Sequence, residues 1–153
     1  MTGAGFFHLF SLPHPRYINN DIEECITSER GLLILGTLMR TLNDYFLTAE
    51  IEDISTASST FVAVPDGGRI IKIITALQGA IGTANGGISF EIGGTAITGG
   101  GITVTQSGSA AGDVDSAEPT ALNRVEENGT IEMLTDGASS NTVKLLVTFV
   151  IRR

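Results

Sequence analysis

The most regular feature of the chain is a period of two in its second half. Ile88, Phe90 and Ile92 alternate with Ser89 and Glu91, and Val143, Leu145, Val147, Phe149 and Ile151 alternate with Lys144, Thr148 and Arg152. Successive side chains of a strand point to opposite faces, so this pattern predicts strands with one face in a core. Residues 60–64, 69–77, 96–98, 102–106, 122–126 and 130–135 read the same way. They are punctuated by Pro65-Asp66-Gly67-Gly68, Asn85-Gly86-Gly87, Gly93-Gly94, Gly99-Gly100-Gly101, Asn128-Gly129 and Asp136-Gly137, residues that supply the positive φ of tight turns at little cost. Roughly eight strands joined by hairpin turns, with no helix between them, predict an antiparallel β-sandwich of jelly-roll type. Residues 107–120 carry no pattern and read as an exposed excursion.

The first third follows another rule. Leu32, Leu35, Met39, Leu42 and Phe46 are spaced by three and four, one stripe of an amphipathic helix over 29–47. Asp21 with Glu24 three residues on has capping-box spacing, and Ser28 offers a second start. Gly31 and Gly36 each weaken the helix by about 1 kcal/mol relative to alanine. Ahead of it, Leu12-Pro13-His14-Pro15-Arg16 favours extended geometry, because proline fixes its own φ and disfavours helix in the residue before it. Residues 1–20 therefore read as an extended arm, 21–53 as a helical segment and 54–153 as the sandwich. The arm side chains Phe6, Phe7, Leu9 and Phe10 are too apolar for a solvated tail, so they are expected, with the helix stripe, to pack on a partner or on their own domain.

Two strands carry apolar residues on the face that should meet water: Ile70 with Ile74, and Leu146 with Val150. A strand apolar on both sides implies a cover, from the helix, the arm or a neighbouring subunit.

Composition sharpens this picture. At 153 residues the chain suits one domain with an appendage, and 42% hydrophobic residues suffice for a core. Seventeen acids against nine bases give a net charge of -8, opposite to the basic footprint that phosphate backbones require, so direct nucleic-acid binding is not expected. No apolar stretch is long enough to span a membrane, and no basic region precedes the apolar Phe6–Phe10 stretch, so neither membrane insertion nor export is expected. A single cysteine, Cys25, excludes an internal disulfide and a thiolate cluster.

Catalytic chemistry is equally sparse. Both histidines, His8 and His14, lie in the arm, so no Ser-His-Asp or Cys-His set can be assembled from the strands, and six residues apart with proline between them they do not look like metal ligands. Asp113, Asp115 and Glu118 approach the spacing of a calcium loop but lack its glycine and have Ala117 at a ligand position. The glycine clusters lack the lysine of a phosphate loop and fall between strands. No enzyme, cofactor or metal is expected.

Several stretches resemble the head-decoration, or cement, proteins of tailed bacteriophages: Val62-Ala63-Val64-Pro65-Asp66-Gly67-Gly68-Arg69-Ile70-Ile71-Lys72-Ile73, Ile88-Ser89-Phe90-Glu91-Ile92-Gly93-Gly94, Gly108-Ser109-Ala110-Ala111-Gly112-Asp113-Val114 and Ile131-Glu132-Met133-Leu134-Thr135-Asp136-Gly137-Ala138-Ser139-Ser140. The likeness covers residues 54–153 and consists of strand and turn patterns. It implies a β-sandwich on the outer capsid surface of a virion, assembled in the host cytoplasm, that clamps neighbouring major-capsid subunits. It also implies self-association, a trimer ahead of a dimer. The competing expectation is a receptor- or glycan-binding fibre module using the loops around 107–120.

Overall fold

The computed structural model describes residues 43–153, which form ten strands with no helix among them. In chain order these are β1 (Asp44–Ile51), β2 (Ser58–Ala63), β3 (Gly68–Leu77), β4 (Gly86–Ile92), β5 (Thr95–Ala96), β6 (Ile102–Val104), β7 (Val114–Ala117), β8 (Arg124–Val125), β9 (Thr130–Thr135) and β10 (Leu145–Arg152). Residues 43–153 belong to one compact unit.

The strands make two antiparallel sheets. The first runs β1-β10-β3-β7, with β8 sharing the free edge of β3; the second runs β2-β9-β4-β5, with β6 sharing the edge of β4. Pairing is nested: β1 with β10, β2 with β9, β3 with β7 and β8, and β4 with β5 and β6. The chain thus folds back on itself like one long hairpin bent into two layers. Gly93 and Gly94, both at positive φ, make the tight turn joining β4 to β5, where Ile92 faces Thr95. A two-residue turn with positive φ at both positions matches the twist of the flanking strands.

The alternation of the sequence becomes the two faces of these strands. In β10, Leu145, Val147, Phe149 and Ile151 are fully buried while Leu146, Thr148 and Val150 are half-buried on the other side. Ile131, Met133 and Thr135 do the same for β9. The inner faces of both sheets meet in one core, where Phe90 of β4 and Phe149 of β10 pack edge to face at 5.5 Å and 89°, a favoured aromatic geometry. Two buried polar side chains are tied to backbone. The Asn123 side-chain amide donates to the Ile70 carbonyl at 2.7 Å, and the Thr135 hydroxyl donates to the Thr56 carbonyl at 2.6 Å.

Three sequence expectations change. The expected helix over 29–47 is contradicted at its C-terminal end, where Asp44–Ile51 is a strand; residues 29–42 lie outside the described residues. Tyr45, Leu47, Ala49 and Ile51 all turn to the core side of β1, which no helix could achieve at a spacing of two. β1 then pairs with β10 along its whole length, from Asp44 opposite Arg152 to Ile51 opposite Leu145. The excursion 107–120 contains β7, an exposed edge strand paired with β3. Finally, Ile70 lies at 0% exposure in the core instead of on the solvated face. The cause is a β-bulge: Val150 faces Lys72 but Ile151 faces Ile70, so Ile71 is the extra residue and the alternation of β3 changes phase there.

Candidate functional site

With both inner faces occupied by the core, the surfaces left for function are the two outer faces and the sheet ends. The outer face of the first sheet follows from its register. Rows run Phe46–Val150–Lys72, Thr48–Thr148–Ile74–Ser116 and Glu50–Leu146–Ala76–Val114 across β1, β10, β3 and β7. Phe46 is 69% exposed and Val114 is 63% exposed, while Val150, Ile74 and Leu146 between them are half-buried. This is a contiguous apolar face, and patches of this kind on soluble proteins mark contact sites. The Thr48 and Thr148 hydroxyls sit 3.1 Å apart in its middle.

Charge borders the patch at both ends. Arg152 holds Asp44 by two parallel hydrogen bonds, Nε to Oδ1 at 2.8 Å and Nη2 to Oδ2 at 2.7 Å. That contact keeps the Asp44 carboxyl below its usual range and raises Arg152. At the other end Lys144 Nζ meets Glu50 Oε1 at 2.7 Å, which raises the lysine. One pair links β1 to β10 and the other links β1 to Lys144 just before it, so they fasten the edge strand at both ends.

Beyond Asp44 an open cleft of ≈ 560 Å³ is lined by Asp66, Gly68, Arg69, Arg124, Arg152 and Arg153, among others. Arg152, Arg69 and Arg124 stand opposite one another on β10, β3 and β8, an arrangement that repels unless compensated. Compensation is nearly complete: Arg152 pairs with Asp44, Arg153 with Asp66, and Arg124 lies 3.8 Å from Glu126. Tyr45 closes this end. Its hydroxyl donates to the Asp66 carbonyl, Arg153 lies 5.9 Å from its ring centroid, and burial pushes the phenol up. Among the described residues Arg69 and Lys72 form no ion pair.

The outer face of the second sheet is different. Its central row runs Phe61–Glu132–Glu91–Ala96, with Ser59–Leu134–Ser89 beside it. Phe61 is 62% exposed, and the two glutamates stand directly opposite each other on β9 and β4. Neither is ion-paired among the described residues.

Of the contact residues expected from sequence, Phe6, Phe7, Leu9, Phe10, Leu32, Leu35, Met39 and Leu42 lie outside the described residues. Phe46 is on the apolar face through β1, not through a helix stripe, and Ile74, Leu146 and Val150 share that face with it. Ile70 does not. Sequence reading missed Lys72, Phe61, Glu91 and Glu132; their signal is that they occupy outward positions of strands, legible only once the register is known. Asp113 of the calcium-like run accepts a hydrogen bond from the Ala110 backbone N–H at 2.7 Å, and no metal-ligand cluster occurs among the described residues.

No family model matches the chain, and no curated protein matches it. Among solved structures its fold is similar to a chain of the acidic stable capsid structure of Helicobacter pylori bacteriophage KHP30, at 16% identity and a TM-score of 0.51, over 72% of this chain and 88% of that one. At that identity the likeness is one of fold.

Proposed function

We propose that this chain is a non-catalytic structural protein of a phage capsid, a decoration or cement protein that lies on the outer surface of the head and clamps neighbouring major-capsid subunits. The observation that carries the reading is the fold shared with a chain of a phage capsid structure. Two further features support it. The nested strand order, β1-β10-β3-β7 over β2-β9-β4-β5, is read here as a jelly roll. Exposed aromatic residues on both outer faces suit adhesion.

The mechanism is physical and involves no bond making. Each copy contributes a modest contact, and a lattice that repeats the contact raises the effective concentration of every further one. In this reading the apolar arm, residues 1–20, supplies attachment to the capsid through Phe6, Phe7, Leu9 and Phe10, while the sheet faces meet sister subunits.

Capsids assembled without the protein test this directly. Added full-length chain is expected to saturate a fixed number of sites per particle by co-sedimentation, and removing residues 1–20 is expected to lower occupancy about tenfold without changing the melting of the sandwich. Undiminished occupancy of the truncated chain would remove the arm from the mechanism. Saturable glycan binding with no affinity for capsids would replace the reading with a fibre module.

A further inference from the structure

Each outer face of the sandwich sets an exposed phenylalanine in a row with a charge that has no ion partner among the described residues, positive on the first sheet and negative on the second. On the first sheet, Phe46 of the edge strand β1 is separated from Lys72 by one strand, in the row Phe46–Val150–Lys72. On the second, Phe61 of the edge strand β2 is separated from Glu91 by one strand, in the row Phe61–Glu132–Glu91. Each aromatic-to-charge separation is therefore two inter-strand spacings, about 10 Å. Both phenylalanines are exposed. The carboxylates of Glu91 and Glu132 are placed side by side, an arrangement that costs folding free energy unless a cation arrives from outside. Among the described residues none does.

We propose that the outer face of the first sheet in one copy docks on the outer face of the second sheet in another. Phe46 then packs against Phe61 while Lys72 enters between Glu91 and Glu132. Equal spacing on the two faces lets one docking satisfy both contacts, and opposite charge sets the pairing: a face meeting its own kind would bring lysine to lysine or four carboxylates together. Because the two inner faces share one core, the docking faces lie on opposite sides of the sandwich. The contact is consequently head to tail, and a row of copies keeps one face of each kind free, one at either end, for the next copy. This deepens the capsid reading, which leaves the sheet faces to sister subunits, by naming the contact between copies, and it needs no capsid.

Sedimentation velocity of the full-length chain over a range of concentrations tests it in the absence of capsids. The wild type is expected to grow stepwise with concentration, and raised salt is expected to reverse that growth by screening the lysine–carboxylate contact. Lys72→Glu and Glu132→Lys are each expected to weaken association about tenfold when studied alone, with circular dichroism unchanged because both side chains are on outer faces. An equal mixture of the two variants is expected to regain association, because the Glu132→Lys chain keeps an intact lysine face and the Lys72→Glu chain an intact carboxylate face. A single species with no growth, variants that associate like the wild type, or a mixture no better than its components would each overturn the proposal. Capsid occupancy of the same variants reads the other function separately.

Discussion

Gly137 is the residue whose identity is most narrowly prescribed by its surroundings. It adopts φ +66° just after β9, and a Cβ there would collide with the backbone nitrogen of Ala57. Gly137→Ala should lower stability by about 2–4 kcal/mol, from left-handed strain together with overpacking against a backbone that cannot yield. Chemical denaturation checks this, and a loss below 1 kcal/mol would show that the β9 turn can relax. Asp53 works through hydrogen bonding. Its carboxylate accepts from the Ser55 hydroxyl at 2.6 Å, the Thr56 hydroxyl at 2.8 Å and the Ser55 N–H at 2.8 Å, shaping the exit from β1. These donors, the Ser55 side chain foremost, hold its carboxyl below the ordinary value. A depressed folded-state value means that the stabilisation is present above the ordinary carboxylate range and lost as pH falls through the depressed one. Asp53→Ala should therefore melt lower than wild type at neutral pH, with the gap closing below about pH 4. A gap independent of pH would mean that packing, not the charge, is responsible.

At the scale of elements, β1 and β3 show how local pattern and partner compete. Phe46 fits a helical stripe with Leu42 and Met39, yet Tyr45, Leu47, Ala49 and Ile51 alternate just as well. The second pattern prevails because β10 offers a partner of matching length whose inward residues face them. In β3 the alternation is broken by the bulge at Ile71, which sends Ile70 and Ile73 inward and Lys72 and Ile74 outward. Ile70→Ala should accordingly cost about 2–5 kcal/mol as a cavity mutation, and Ile74→Ala under about 1 kcal/mol. Equal losses in thermal or denaturant unfolding would contradict the change of phase. The same bulge brings Lys72 into the row of Val150 and Phe46, so a single inserted residue determines what the outer face displays.

At the scale of the whole molecule, the two inner faces close on one core while the two outer faces keep exposed phenylalanines, Phe46 on one and Phe61 on the other. In the proposed docking, hydrophobic contact would supply attraction but little direction, whereas Lys72 of one copy set against Glu91 and Glu132 of the next would supply orientation. Alternation with period two and glycine-rich turns were both legible in the sequence, because each depends only on a residue and its immediate neighbours. So were the strands β9 and β10, whose ends are marked by turn residues. β7 was not legible, since an edge strand with mostly exposed side chains leaves little hydrophobic signal. The outer-face rows depended on register, which relates residues up to 108 positions apart, such as Asp44 and Arg152. Local pattern thus determined that this chain would make strands with one apolar side each. Only tertiary pairing decided which strands became neighbours, where β3 changed phase and which charge came to stand beside each exposed phenylalanine, because those outcomes minimise the free energy of two whole sheets and not of any one segment.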